Sequence, residues 1–422
     1  MSLCFGWVLT LDVIQKIYST IKAKGKITFA EFMELALYWP DGGYYAHLSR
    51  DNANADFYTA PAAHPLFGAL ISVQLEQMWR ILGCPSRFML VEIGAGDGRL
   101  AKDILDFTVL QFPFFHKAID YVMLEKGRSE GSKYVEADSR QGAHWLKAST
   151  LPFRGVVGCF LSNELLDSFP VHRVLMDGIE LREIYVGLDS GTLVEIIDKP
   201  STPRLAQRLV DLSITLPNGF RTEICLGLDE WSSNLGWALD KGYVITIDYG
   251  YPASILYAEE RSEGTLRLYY KHSYGVDPYT FIGQQDITAH VDFTSLITTG
   301  RSNGLCNISL ASQREMLLNL GFDYFLRALD ISGLNPVTLN GNRMGMLDLV
   351  RLGGMGEFGV VIQSKGVPTE PLYSVTRNNA WLKDIGQRYP NIDIPLLTPD
   401  HMPLMNGRYP HLGYSDIGSI SG

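Results

Sequence analysis

Basic residues are in the minority in this chain, and no stretch gathers them into a stripe. Asp and Glu number 46 against 36 Lys and Arg, a formal net charge of -10 at pH 7. Such a balance disfavours phosphate backbone, because non-specific nucleic-acid binding depends on clustered cations releasing counter-ions. Nucleic acid is therefore not an expected partner. Cysteine is scarce as well: Cys4, Cys84, Cys159, Cys225 and Cys306 are scattered, odd in number and free of C-x-x-C spacing. Neither a disulfide framework nor a zinc site is expected, and the compartment read from them is reducing. No apolar run reaches the length needed to span a bilayer, so membrane insertion is not expected either. The apolar patch from Leu3 to Leu11 lacks a basic leader and meets Asp12, which argues against a signal peptide. What the chain does have is apolar mass. Its 422 residues are 46% hydrophobic and 11% aromatic, enough for a sizeable core spread over two or three lobes.

The organising stretch is VEIGAGDGRL, Val91 to Leu100. An apolar run precedes it and a helical pattern (Leu100, Ile104, Leu105) follows, so it reads as strand, glycine turn, helix. Gly94, Gly96 and Gly98 let the backbone turn tightly beside a ligand, with the N–H groups of the helix start facing it and Ala95 between them. A dinucleotide fingerprint has the spacing G-x-G-x-x-G and must accept a pyrophosphate, which an acid just ahead would repel. Here the spacing is G-x-G-x-G and Glu92 stands in front, which suits a ligand that brings a cation, such as the sulfonium and ammonium of S-adenosylmethionine. An ordinary strand-to-helix turn would accommodate the same glycines.

Alternating strands and helices surround this corner, the pattern of a parallel sheet with helices on both faces. Upstream, Ile14, Ile17, Tyr18 and Ile21 recur at helical spacing, and Lys26 to Leu37 forms a second helix with Thr28 and Glu31 as a capping box. The aromatic, proline-rich segments Trp39 to His47 and Asp56 to Gly68 suit ligand-lining loops, with Asp56 and Tyr58 as candidate substrate contacts, or packed surface loops. Glu125 ends the strand Ala118 to Glu125, where an acid can accept from both hydroxyls of a ribose or merely sit at an exposed strand end. The run Val156 to Leu161 is a buried central strand that stops at Ser162, Asn163, Glu164 and Asp167. Ligand crevices of open parallel sheets lie at such carboxyl ends, so these groups either point at a substrate or cap the next helix.

From Val171 to Asp198 short alternating strands with Asp177-Gly178 and Ser190-Gly191 turns indicate an antiparallel insertion. Val244 to Ile247 is a second buried strand, with Asp248 and Tyr249 at its end as candidate substrate contacts. In GQQDITAHVDFTSL, Asp286, a further candidate substrate contact, and His290 form an i, i+4 pair if the segment is helical. A metal there lacks a third ligand at any recognised spacing. His290 suits a general base, a substrate-orienting group or a hydrogen-bonded structural histidine. Phe358 to Gly366 reads as the closing strand, paired antiparallel with Leu266 to Tyr270. The stretch beyond Val367 shows little periodicity.

Seven blocks in this order, GKITFAEFMELALYWPDGGYY, DFYTAPAAHPLFG, LVEIGAGDGRLAKDIL, LSNELLDSFPVHRV, IDYG, GQQDITAHVDFTSL and FGVVIQSKG, resemble the MidA family of S-adenosylmethionine-dependent methyltransferases. The resemblance covers about Ile27 to Gly366. It implies an α/β, class I methyltransferase (Rossmann-like) fold, doubly wound, with a mostly parallel sheet and an antiparallel last strand. It places S-adenosylmethionine as cofactor against Glu92, Gly94, Ala95, Gly96, Gly98, Glu125 and Asn163, and Asn163, Glu164 and Asp167 on the acceptor side. Mitochondrial members of that family are assembly factors for respiratory complex I that methylate an arginine of one of its subunits, so a protein substrate from a respiratory complex is implied. The stretch after Glu125 departs from the regular helix usual in the family. The expected organisation is a helical N-terminal region (1–85), a methyltransferase core (86–170 and 225–366), an inserted lobe (171–224) and a C-terminal extension (367–422).

The expected chemistry is in-line methyl transfer to a nitrogen, aided by alignment and by carboxylates on the acceptor side. A small-molecule N- or O-methyltransferase would use the same core, and a cofactor-binding assembly chaperone would bind without turnover. A nicotinamide dehydrogenase is a more distant alternative. A bacterial-type cytoplasmic location is expected over the mitochondrial matrix, since no transit peptide is visible, and a homodimer is the assembly to test.

Overall fold

The computed structural model describes residues 12–46, 58–126, 143–148, 150–270, 273–275, 277–368, 370–376 and 392–401. Its centre is a seven-stranded sheet whose middle strands are near-continuous apolar runs. In chain order these strands are β1 (Phe88–Ile93), β2 (Ile119–Glu125), β3 (Ala143–Lys147), β4 (Val156–Asn163), β5 (Leu239–Asp248), β6 (Cys306–Ser312) and β7 (Gly359–Lys365). Their spatial order is β6-β7-β5-β4-β1-β2-β3. Strands β1 to β5 run parallel, and β7 lies antiparallel between β5 and β6. Chain order reverses between β1 and β4, so the crevice for a ligand falls at their carboxyl ends.

Residue parity along β1 shows why the runs are apolar throughout. Leu90 enters the core on one face, with helices Leu66–Ile81 and Arg99–Gln111, while Val91 enters the core on the other, with helices Gly227–Ala238 and Phe293–Ser302. A strand covered on both faces has no solvent side, and each fully buried Leu or Phe contributes roughly 1.5–3 kcal/mol.

A second, five-stranded antiparallel sheet contains His172–Asp177, Glu180–Asp189, Thr192–Asp198 and Arg221–Ile224. Its remaining strand is Lys26–Thr28, with Ile27 opposite Val186, so the N-terminal region is hydrogen-bonded to the insertion. Helix Phe29–Tyr38 starts immediately after it. Thr28 Oγ1 accepts from the Glu31 backbone at 3.1 Å and Glu31 Oε2 accepts from the Thr28 backbone at 3.0 Å.

Two expectations are corrected. Gly359–Lys365 does not pair with Leu266–Tyr270. That segment instead places Arg267 to Tyr269 against Thr288 to Asp286, and Val360 to Gln363, buried on both sides, fill the slot between β5 and β6. Asp286 to Asp292 is not helical either: Asp286–Thr288 and Val291–Asp292 are short strands, so Asp286 and His290 do not form an i, i+4 pair.

The described part of the C-terminal segment runs along the core. Ile392, Ile394 and Leu396 pack on it, and Leu397 N donates to Asn342 Oδ1 at 2.8 Å. Asp400 O then accepts from Arg99 Nη1 at 2.6 Å, and buried His401 lies 3.3 Å from Asp103 Oδ2. The segment is thereby tied to the helix that follows the glycine turn.

Candidate active site

At the end of β1 the three glycines all take positive φ, 74° at Gly94, 59° at Gly96 and 81° at Gly98, which L side chains avoid. Their surroundings differ. A Cβ on Gly94 would meet Leu165 at 2.8 Å and one on Gly98 would meet Trp145 at 2.8 Å, whereas one on Gly96 would meet nothing within 4 Å. Gly96 therefore faces open space, and its N–H donates to Glu125 Oε1 at 2.6 Å from the end of β2. A carboxylate held beside an open glycine turn fits a ribose diol. Ala95 is buried in the core behind the turn, and its carbonyl accepts from Gly98 N at 2.9 Å.

Glu92 modifies the charge argument. It is buried, accepts from the Tyr121 hydroxyl at 2.7 Å, and burial pushes its carboxyl up to about 8. At neutral pH it is mostly protonated, so it serves the corner as a buried hydrogen-bonding group more than as a standing anion.

At the end of β4, Asn163 Nδ2 donates to Glu164 Oε1 at 3.2 Å, while Asn163 Oδ1 is buried without a partner among the described residues. Glu164 has φ 50°, an uncommon conformation for a residue with a side chain. Its backbone N–H donates to Ile247 O at 2.9 Å, and the Ala60 backbone N–H bonds its carboxyl. Burial and the Asp167 charge push Glu164 up to about 8, and burial pushes Asp167 to about 6. The Tyr249 hydroxyl lies against the Asp167 carboxyl, whose Oδ1 is buried without a hydrogen-bond partner among the described residues.

Asp248, expected as a substrate contact, is turned to the main chain. It is fully buried, and its Oδ2 accepts from the backbone of Leu165, Leu166 and Asp167 at 3.1, 2.8 and 3.3 Å while Oδ1 accepts from Tyr249 N at 2.9 Å. Burial and the Asp167 charge push it well above the ordinary carboxylate range, against those four donors. Its work is to shape the turn that presents Asn163 to Asp167. Asp286 is likewise 1% exposed, and its Oδ1 accepts from the Tyr45 hydroxyl and from Ile287 N, each at 2.9 Å, so it supports the wall of the site from behind.

Tyr38 and Tyr45 were not singled out from the sequence, although their block was. Their rings stack at 5.4 Å, and the Tyr38 hydroxyl bonds Ser168 Oγ at 2.8 Å. Lys126, next to Glu125, sits 4.2 Å above the Tyr38 ring, so the aromatic pair adjoins the end of β2 as well as the acids. The density of aromatics in WPDGGYY was the available signal. Tyr58 is half-buried against the main core, and Asp56 lies outside the described residues. His290 sits between Tyr249 at 5.5 Å and Tyr251 at 5.3 Å, and burial, with Arg267 and Arg261 nearby, lowers it to about 4. Among the described residues no cluster of His, Cys, Asp and Glu could hold a metal, and no helix is long and apolar enough to cross a membrane.

A β6-β7-β5-β4-β1-β2-β3 sheet with one antiparallel strand and a glycine corner at its switch point defines a class I methyltransferase. The family model described as "Putative S-adenosyl-L-methionine-dependent methyltransferase" matches residues 70–309, more than half of the chain. The chain belongs to this family, in keeping with the MidA-type blocks, and is an S-adenosylmethionine-dependent methyltransferase. It is similar to protein arginine methyltransferase NDUFAF7, mitochondrial, of Rattus norvegicus, 26% identical over 345 residues that cover 73% of this chain and 74% of the relative. The mitochondrial NDUFAF7 homolog of Caenorhabditis elegans is 27% identical over 344 residues, 73% of this chain and 76% of the relative. A Burkholderia thailandensis protein crystallised with S-adenosyl-homocysteine superposes with a TM-score of 0.74 at 27% identity, over 86% of this chain and 94% of that one.

Proposed function

We propose that this methyltransferase acts on a nitrogen of a protein substrate, with arginine as the preferred acceptor. The observation that carries the reading is the pair of carboxyl groups that follow the end of β4. Glu164 and Asp167 are presented on a turn whose backbone Asp248 holds, walled by Tyr38, Tyr45 and Tyr249. Carboxylates pair with a planar guanidinium in a bidentate way, and tyrosine rings suit its flat face. The relatives named protein arginine methyltransferases support the same acceptor. By family resemblance the substrate is a subunit of a respiratory complex, and the unpaired cysteines Cys84, Cys159, Cys225 and Cys306 suit a reducing compartment.

S-adenosylmethionine, when bound, supplies a methyl group on a sulfonium, activated for in-line displacement. Glu125 and Gly96 would hold the ribose side, Gly94 to Gly98 would give backbone access, and Asn163 Oδ1, buried without a partner among the described residues, would be available to the cofactor's ammonium. Glu164 and Asp167 would orient the acceptor, and Asp167 would take the one proton its nitrogen sheds as the N–C bond forms and the sulfonium S–C bond breaks. Asp167, held near 6, is largely ionised at neutral pH and suits the base, whereas Glu164, held near 8, is mostly protonated until a cationic acceptor lies beside it and lowers its pKa. His290, lowered to about 4, is too weak a base for this step and orients Tyr249 instead.

Transfer of labelled methyl from S-adenosylmethionine to lysate proteins, followed by mass-spectrometric mapping, tests the reading. Methylarginine on a discrete protein band is expected, with Glu164→Gln and Asp167→Asn each at least about tenfold slower. Label confined to small molecules, or full turnover in both variants, would sink it.

A further inference from the structure

The acids of the acceptor site have a cationic neighbour. Arg267 stands opposite Thr288 in an antiparallel strand pair, two residues from His290, whose backbone N–H donates to Thr265 Oγ1 at 3.2 Å. On the other flank, Gly250–Tyr251 runs parallel to Val291–Asp292 and fixes Tyr251 beside the imidazole. The Arg261 guanidinium lies 4.1 Å above the Tyr251 ring, steadied by a 3.1 Å bond from Nη1 to Ile255 O. A continuous line of side chains, Asp167, Tyr249, His290, Tyr251 and Arg261, thus leads from an acceptor carboxyl to a guanidinium.

Neither Arg261 nor Arg267 makes an ion pair among the described residues, although other arginines of the molecule find acids readily, as Arg204 and Arg208 both find Asp229. His290 Nδ1 is also buried without a partner among the described residues. Two unpaired guanidiniums and an unsatisfied imidazole nitrogen form a donor set for an oxyanion. They also settle a problem of selectivity. Acids alone would welcome any polycation, whereas guanidiniums linked to them through His290 and Tyr251 would repel a second basic group and reward an acidic one.

We propose that Arg261, Arg267 and His290 form an anion subsite that binds a carboxylate of the substrate, an Asp or Glu side chain roughly two to four residues from the methylated position, at about 3.3 Å per extended residue. The subsite rests on the protein-arginine reading above and determines which arginines are taken.

The test is fluorescence anisotropy with Gly/Ser-based peptides carrying one arginine and either Glu or Gln a few residues away, in the presence of S-adenosyl-homocysteine. The wild type is expected to bind the Glu peptide about tenfold more tightly, which corresponds to about 1.4 kcal/mol. In the Arg261→Gln/Arg267→Gln double variant the preference falls below about twofold, with S-adenosyl-homocysteine affinity confirming the fold. Equal binding of both peptides to the wild type, a preference that survives in the double variant, or no peptide binding at all overturns the subsite. Replacing the arginine by citrulline separates the two readings. If citrulline peptides bind as tightly as arginine peptides and still prefer Glu, the subsite stands and the guanidinium acceptor does not.

Discussion

The backbone N–H of Gly96 donates to Glu125 Oε1 across 2.6 Å, joining the ends of β1 and β2 at the mouth of the crevice. In the proposed cofactor site the bond would set the carboxyl against the ribose. Glu125→Gln keeps the shape but weakens charge-assisted hydrogen bonds worth about 1.5–3 kcal/mol. Titration calorimetry with S-adenosyl-homocysteine is expected to show a loss of affinity of about tenfold or more. Unchanged affinity would remove Glu125 from the cofactor site.

The glycines separate binding from folding. Gly96→Ala meets no atom within 4 Å, so it costs only the left-handed backbone penalty of about 1 kcal/mol, yet it places a methyl group where the ligand comes. Gly98→Ala meets Trp145 at 2.8 Å and pays for the clash in addition. Thermal melts and calorimetry should therefore rank Gly98→Ala as the less stable, and Gly96→Ala as a folded protein with little cofactor affinity. The opposite ranking would contradict the open space at Gly96.

Stability should fall as pH rises. Burial holds Glu92 and Glu164 up to about 8, against 4.5 for the unperturbed side chain. Between those values the native chain keeps protons that the unfolded chain releases, so the advantage is complete below pH 4.5 and is lost as pH climbs to about 8. Urea midpoints across this window should decline in the wild type, by an amount on the order of 1 kcal/mol per pH unit for a fully buried group. The decline should flatten in Glu92→Gln. An equally steep decline in that variant would mean that Glu92 ionises normally.

Asp248→Ala leaves four backbone N–H groups without their acceptor. The expected loss is about 3–5 kcal/mol in equilibrium unfolding, with Asp248→Asn intermediate because one oxygen remains. A loss below about 1 kcal/mol for the alanine variant would show that the turn holds itself.

The cofactor half of the site was more legible in the sequence than the acceptor half. β1 and β4 are near-continuous apolar runs that stop at glycine or polar residues, and the Thr28–Glu31 capping box is a local signal that needs no tertiary context. Asp248 also stood out at the end of an apolar run, but a strand end does not reveal whether its side chain turns outward or back to the main chain. The helical reading of Asp286 and His290 failed because strand pairing with Arg267 to Tyr269 and the hydroxyl of Tyr45, 241 residues away in sequence, overrode local spacing. β6 was missed as a strand because CNISLAS lies at the sheet edge, half-exposed and without a clean apolar face. Its omission left β7 without its true neighbours.

That edge strand bears on how the molecule is made. β7 is the last strand of the sheet to be synthesised and yet it lies inside it, between β5 and β6. Until Gly359–Lys365 emerges from the ribosome, β5 presents an open hydrogen-bonding edge along Tyr243 to Ile247, residues that end up almost wholly buried. An apolar edge waiting for its partner invites strand addition by another chain. A stop codon before Gly359 should therefore yield aggregates instead of a smaller enzyme.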